Sequence, residues 1–285
     1  MIKKIKNSLA YRLPALYKFL TMCKSARTSS KPRYDGCVLI MMTGRYHLPL
    51  LRMCILSISK NWNRLPKIII TNDGSTSIVR IRKALRFYKG ELIVEDWEET
   101  EIYHKQAQRN GLIKYAKADP FGKKMAIILR YASLFPTLWV DSDILFFKDF
   151  TVQIPTLAKG INLGGSEDWR GAYHEEMLTA LDAKLPEKLH FNAGLLYASG
   201  IGIYEVFEIE DLLTAVHPNY NFLSEQTIFA HIANRSLGII WDRKIIENSP
   251  HDIQQLRPQA IKELIGRHYT SNVRHLFWRD AIFLI

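Results

Sequence analysis

Asp141-Ser142-Asp143 stands between two apolar runs, Leu138-Trp139-Val140 before it and Ile144-Leu145-Phe146-Phe147 after it. Carboxylates placed where a buried strand runs out into its loop offer the hard oxygen donors that Mg²⁺ and Mn²⁺ prefer, and such cations are commonly completed by substrate phosphates. A half-built ligand set of this kind points to a phosphorylated substrate. Spacing alone says little, because thirteen aspartates in 285 residues supply ~0.6 Asp-x-Asp pairs by chance. The flanking strand is what singles this pair out.

The stretch Arg267-His268-Tyr269-Thr270-Ser271-Asn272-Val273-Arg274-His275 holds residue types that would complete such a site. A neutral imidazole can finish the coordination of a transition divalent ion, and a guanidinium offers a fork of donors to phosphate oxygens. By itself the segment also reads as ordinary polar surface. Phe191-Asn192-Ala193-Gly194 sets an amide just ahead of the buried run Leu195-Leu196-Tyr197, where Asn192 could bond sugar hydroxyls or simply punctuate a strand boundary. Ser224-Glu225-Gln226-Thr227 opens an apolar helical run, with Ser224 expected as the N-cap and Glu225 and Gln226 in a first turn that can face a cleft. Gly164 to Arg170 is expected as a loop, either a plain surface loop or one whose Asp168 and Trp169 combine a hydrogen-bonding group with an aromatic plane, as a sugar acceptor site requires.

These segments must be positioned by the elements between them. Gly36–Met42, Pro66–Thr71, Leu92–Val94 and Thr137–Val140 read as short buried strands, and helical periodicity covers about 47–60, the stretch up to Tyr88, 100–117 and 123–134. Ile161–Gly165 and Phe191–Tyr197 read as further strands, with helices near 172–183, 202–215 and 224–234. Strand and helix in alternation predict an α/β fold with a mostly parallel sheet flanked by helices, whose ligands bind beyond the carboxyl ends of the strands. Asp141 lies at such an end.

Composition narrows the class. At 47% hydrophobic the chain can bury a full core, and Cys23, Cys37 and Cys54 lack any metal or disulfide spacing, which fits a reducing compartment. The net charge of +11 is concentrated: residues 1–34 hold nine basic side chains and no acid, leaving 30 basic against 28 acidic elsewhere. A nucleic-acid-binding domain would spread its charge over the body, so the location of the charge argues against that class. Residues 1–34 are expected as a basic amphipathic tail and linker, and 35–285 as the folded domain. Ile2, Ile5, Leu9, Leu13, Leu16 and Leu20 form a helical stripe within the tail, with Pro14 expected to kink or split it. Such a helix suits an anionic membrane surface, or packing on the protein's own body or on a partner. No segment is long enough to span a bilayer, and no signal-peptide core is evident.

Taken together, these motifs resemble the GT-A class of nucleotide-sugar glycosyltransferases, most closely glycosyltransferase family 8, which includes bacterial lipopolysaccharide galactosyl- and glucosyltransferases. Leu138 to Leu145 resembles the family's strand and D-x-D motif, Phe191-Asn192-Ala193-Gly194 its F-N-x-G segment, and His268-Tyr269 with Arg274 its terminal H-Y-x-G-x-x-K. Ser224-Glu225-Gln226-Thr227 resembles the D-Q-D segment in its middle residue.

The resemblance implies a GT-A fold, with Asp141, Asp143 and His268 holding Mn²⁺ or Mg²⁺. It implies Lys124, Asp141, Asn192 and Arg274 at a UDP-hexose donor, Gln226 beside the anomeric carbon, and transfer with retention to a glycan or glycolipid acceptor. The protein would then be cytoplasmic and peripheral on the inner face of the membrane. Three features depart from the family pattern: Ser271 replaces Gly, Glu225 and Thr227 replace two acids, and the first strand lacks its usual acidic nucleotide contact, for which Asp73 is the candidate substitute. For an inverting transferase, Glu225 or Asp168 would be the general base. A sugar-nucleotide nucleotidyltransferase and a non-catalytic carbohydrate or nucleotide binder are the other readings, the former poorly matched by Thr43-Gly44-Arg45-Tyr46 after the first strand.

Overall fold

The computed structural model describes residues 13–23, 28–156, 160–181, 185, 189–236, 238–253, 262–270 and 273–285. A short helix, α1 (Pro14–Cys23), precedes β1 (Arg33–Thr43), α2 (Leu48–Asn61), β2 (Leu65–Asn72), α3 (Ile78–Leu85) and β3 (Leu92–Asp96). Helices α4 (Trp97–Gln106), α5 (Asn110–Ala118) and α6 (Pro120–Ala132) lead into β4 (Thr137–Val140). Beyond the aspartates come β5 (Ile144–Phe146), β6 (Asn162–Glu167), α7 (Glu175–Ala180), β7 (Phe191–Ser199), α8 (Ile203–Val206), α9 (Ile209–Ala215) and α10 (Ser224–Arg235). Three short strands, β8 (Ile240–Trp241), β9 (Ile246–Glu247) and β10 (Gly266–His268), and helix α11 (Arg274–Phe283) follow.

Seven strands form one sheet in the order β3-β2-β1-β4-β7-β6-β8. Neighbours are parallel except at β7, which runs antiparallel to both β4 and β6. The strands are apolar on both faces because both are covered. Leu39, Met41, Leu138 and Val140 pack on one side with α2 and α11, while Ile40, Ile69, Trp139 and Leu196 pack on the other with α5, α6 and α10.

The reversal of β7 has a functional consequence. In a parallel sheet Asn192, near the start of its strand, would lie at the edge opposite Asp141. Antiparallel pairing brings it to the same edge, with Val140 opposite Leu195 and the Asp141 amide donating to the Gly194 carbonyl at 2.8 Å.

A second sheet, β5-β10-β9, sits at that edge. β10 pairs antiparallel with β5 so that His268 lies opposite Ile144, and the Tyr269 amide donates to the Asp143 carbonyl at 2.9 Å.

Several boundaries differ from the expectation. The helix expected over 100–117 is two helices, broken at Gln108, whose φ is 57°, and the one expected over 202–215 is broken at Glu208, with φ 49°. Apolar periodicity carries across such breaks because it reports which face is buried, not whether the backbone is continuous. Pro14 starts α1 instead of kinking it, as a first-turn proline has no helical N–H bond to lose; Ile2, Ile5 and Leu9 of the expected stripe lie outside the described residues. Among the described residues no helix is long and apolar enough to cross a membrane.

Candidate active site

At the carboxyl edge of the large sheet, His268 Nε2 stands 3.3 Å from Asp143 Oδ1 and 3.8 Å from Asp141 Oδ2. The three ligand atoms lie within 4.8 Å of one another, close enough for one cation to touch all three. The oxygen, oxygen and imidazole donors suit Mn²⁺ or Mg²⁺, and two further features fit such an ion. Asn192 Oδ1 accepts from His268 Nδ1–H at 3.0 Å, which leaves the Nε2 lone pair facing the carboxylates, the outer-shell arrangement typical of metal-bound histidine. Gly194 makes room for the ring, since a Cβ there would collide with the imidazole.

The charges respond to this crowding. Burial pushes the Asp143 carboxyl up, but His268 and Arg274 outweigh it and hold the group well below the usual carboxylate range. Burial likewise pulls His268 down, yet the two aspartates keep its pKa above the ordinary imidazole value. A divalent ion held here would take the place of that proton, and its affinity would rise with pH.

Two cations flank the acids. α6 is capped by Asp119, whose side chain accepts from Phe121 N at 2.8 Å, and it starts at Pro120, a favourable first helical residue. One turn in, Lys124 is 4% exposed, and its ammonium donates to the Ala193 carbonyl at 2.9 Å. That ammonium also lies 3.4 Å from Asp141 and 3.3 Å from Glu225 Oε1, a buried oxygen with no aligned hydrogen bond. Arg274, at the start of α11, donates to Asp143 Oδ2 at 2.6 Å and leaves the Oδ1 oxygen to the histidine side.

A solvent-open cavity of about 390 Å³ gathers most of the residues singled out in the sequence: Lys124, Asp141, Asp143, Asp168, Asn192, Glu225, Gln226, His268 and Arg274 all line it. Gln226 is pinned, its Nε2 donating to Ala172 O at 2.9 Å and its Oε1 accepting from Ala193 N at 3.4 Å. Asn192 is occupied at both ends of its amide, Nδ2 donating to Asp168 Oδ2 at 3.3 Å, so it links Asp168 to His268. Trp169 stands at the rim, 43% exposed, with the Arg170 guanidinium 5.2 Å from its ring centre.

Asp73 is not among the cavity's lining residues. It opens the turn after β2, its amide donating to Thr43 O at 2.9 Å and its Oδ1 accepting from Ser75 N at 2.8 Å.

Two local expectations are corrected. Ser224 is the first helical residue of α10 and no cap; its hydroxyl accepts from Asn221 N at 3.0 Å, while Asn221 Oδ1 accepts from Leu223 N at 2.8 Å. Ser166 and Glu167, expected in a loop, continue β6 past its expected end at Gly165, and β6 lies so close to the Ile239 backbone and the Tyr197 ring that a side chain at Gly164 would not fit. Only Asp168, Trp169 and Arg170 extend into the cavity.

Trp139 is a site residue that motif reading missed. Its indole Nε1 donates to Asp141 Oδ1 at 2.7 Å, and its ring lies 5.5 Å from the Lys124 ammonium, so one side chain orients both charges. The signal was present: residues two apart on a strand share a face, which sets Trp139 in line with Asp141.

Two buried groups titrate in opposite senses. Burial, helped by Asp141 and opposed by Lys124, pushes Glu225 up to about 7. The folded protein therefore holds that proton more tightly than the unfolded chain, and stability from it is lost as pH rises from about 4.5 to about 7. His104 on α4 donates from Nε2 to Ala126 O of α6 at 2.8 Å and accepts at Nδ1 from Arg109 at 3.2 Å, and burial lowers its pKa to about 4. Here the unfolded chain takes the proton first, so stability is lost as pH falls from about 6.5 to about 4. Between pH 7 and pH 5 the His104 share is expected to be about 2 kcal/mol. Urea titrations should show it as the difference in pH slope between wild type and His104→Gln, whose amide can still reach Ala126; equal slopes would contradict it.

No protein-family model and no curated protein sequence matches the chain. Solved structures do. Galactosyltransferase LgtC, in complex with donor and acceptor sugar analogues, superposes with a TM-score of 0.59 at 13% identity over 87% of this chain and 96% of its own. Mouse xyloside xylosyltransferase 1 in its apo form gives 0.53 at 11% identity, over 84% of this chain and 99% of its own. Glycosyltransferase GlyE of Streptococcus pneumoniae gives 0.55 at 15% identity, over 89% of this chain and 61% of its own. The fold is that of the GT-A glycosyltransferases, several of these structures belonging to family 8.

Proposed function

We propose that the protein is a metal-dependent glycosyltransferase that moves a hexose, with retention, from a UDP-sugar to a glycan or glycolipid acceptor on the cytoplasmic face of a membrane. The observation that carries the reading is the meeting of Asp141, Asp143 and His268 in one cavity with Lys124 and Arg274. Mn²⁺ or Mg²⁺ held by those three ligands would act as a Lewis acid toward the departing diphosphate.

The remaining roles fall to side chains of the chain. Arg274 keeps nitrogens beyond the one bonded to Asp143, and these can reach phosphate oxygens while that anchor holds. Lys124 contributes fixed positive charge between Asp141 and Glu225. Preorganised charge facing a developing diphosphate is generally the largest contribution to such a transfer. Gln226, tied to the backbone at both ends, presents a rigid amide where the anomeric carbon would lie. Asp168 and Trp169 supply the hydrogen-bonding and stacking groups for an acceptor sugar, and Asp73 would meet the nucleotide end of the donor.

The test is a panel of nucleotide sugars assayed for Mn²⁺-dependent hydrolysis and transfer, with anomeric analysis of the product. Release of hexose from a UDP-sugar, abolished by chelation and restored by Mn²⁺, is expected. An inverted product would move Asp168 or Glu225 to the role of general base, and full activity under chelation would remove the metal from the reaction.

A further inference from the structure

α1 is held to the body by a narrow face. Tyr17 and Thr21 are buried, the Thr21 hydroxyl lies 3.2 Å from the Trp278 carbonyl of α11, and the Lys18 ammonium is 5.7 Å from the Trp278 ring centre. The apolar stripe read from the sequence faces elsewhere. At about 100° per residue, Leu13, Leu16, Phe19 and Leu20 share an arc of about 120°, and that arc is open: Leu16 and Leu20 are 49% exposed and Phe19 64%. Of the nine bases of residues 1–34, Lys31 donates to the carbonyls of Lys60 and Trp62, Arg33 pairs with Asp35 and Glu91, and Lys18 rests on Trp278, so those three serve the body, whereas Lys3, Lys4, Lys6, Arg12, Lys24 and Arg27 lie outside the described residues.

We infer that this open face of α1 docks on an anionic lipid surface and so presents the cavity to a membrane-borne acceptor. An apolar arc in a stretch of sequence rich in bases and free of acids matches a surface of acyl chains beneath negative headgroups. A second copy of the chain is a poor occupant, because a twofold contact would set the same basic segment against itself. α1 also adjoins the site. Trp278, on which it rests, is one turn of α11, about 6 Å along the axis, beyond Arg274, which lines the cavity and bonds Asp143. The docking surface itself needs nothing from the transferase reading; the choice of a lipid-linked acceptor over a soluble glycan rests on it.

The test is co-sedimentation of the full chain with vesicles of one part phosphatidylglycerol to three parts phosphatidylcholine, against phosphatidylcholine alone. Binding is expected to the anionic vesicles only, to weaken with added salt, and to fall at least about tenfold in Phe19→Glu and further in the Leu16→Glu, Phe19→Glu, Leu20→Glu variant. Both variants should keep the wild-type melting temperature and Mn²⁺-coupled UDP affinity, which separates lost docking from lost fold. Undiminished vesicle binding by the two variants would overturn the inference, as would a concentration-dependent dimer in sedimentation velocity that Phe19→Glu dissociates. Should wild type bind vesicles but show no UDP binding, the docking surface stands and the transferase reading falls.

Discussion

Asp143→Ala is expected to lower kcat/KM for sugar transfer by at least about 10³-fold and to erase the gain in UDP affinity that Mn²⁺ confers. The residue holds three positions at once: Oδ1 faces His268 Nε2 at 3.3 Å, Oδ2 accepts from Arg274 at 2.6 Å, and its backbone carbonyl accepts from Tyr269 N at 2.9 Å. Alanine keeps the backbone bond, so β10 should remain paired, and the deficit should fall on the ion and the diphosphate. It also leaves the Arg274 guanidinium without its carboxylate partner beside the site, which opposes the approach of a further cation. Calorimetric titration of UDP with and without Mn²⁺ reads the coupling directly. Asp143→Asn, which preserves shape and removes charge, should behave like alanine if charge is what matters. Metal-coupled UDP binding at wild-type strength in either variant would exclude this site.

Lys124→Met should cost about 10²–10³-fold in kcat/KM, with a second effect on stability. The ammonium is the buried cation nearest both Asp141 and Glu225; burial lowers its pKa, but those two carboxylates outweigh burial and raise it. Methionine fills much of the volume yet leaves two carboxylates without that charge, and breaking a buried ion pair from one side typically costs about 3–5 kcal/mol. Glu225 would then keep its proton through neutral pH. Adding Glu225→Gln to Lys124→Met should restore part of the stability without restoring transfer. That split, read by urea denaturation alongside kinetics, distinguishes a charge aimed at the donor from one that merely neutralises a buried acid. Additive stability losses in the double variant would show that the pair is not coupled.

Much of the fold was legible because it is written in local pattern. β4 begins and ends where its apolar run does, at Thr137 and Val140, and α2, β2, β3 and α10 lie within a few residues of their expected spans. The D-x-D pair stood out for the same reason, being attached to a strand whose burial shows in its own residues. Ser224 was misread because Asn221, three residues upstream, caps the turn before the helix; both residue types favour such positions, and which one serves depends on how the chain enters α10. Gly164 and Gly165 of β6 suit both a strand and a loop reading, because turn chemistry and close packing against a neighbouring strand select the same residue.

His268 shows the boundary most clearly. Its side-chain chemistry could be read from the chain, but not its place 3.3 Å from an aspartate more than a hundred residues away. That distance is set by the register of β10 on β5 and by the space left at Gly194, and registers between distant segments depend on the whole packed core. The same holds for the reversed direction of β7, the indole bond from Trp139 to Asp141, and the face by which α1 rests on α11. Periodicity and residue chemistry act between neighbours along the chain, and they were enough for the elements and the candidate ligands. Whether those ligands converge, which oxygen of Asp143 is left for a cation, and which side of α1 stays open are matters of long-range pairing, and these came from the folded molecule.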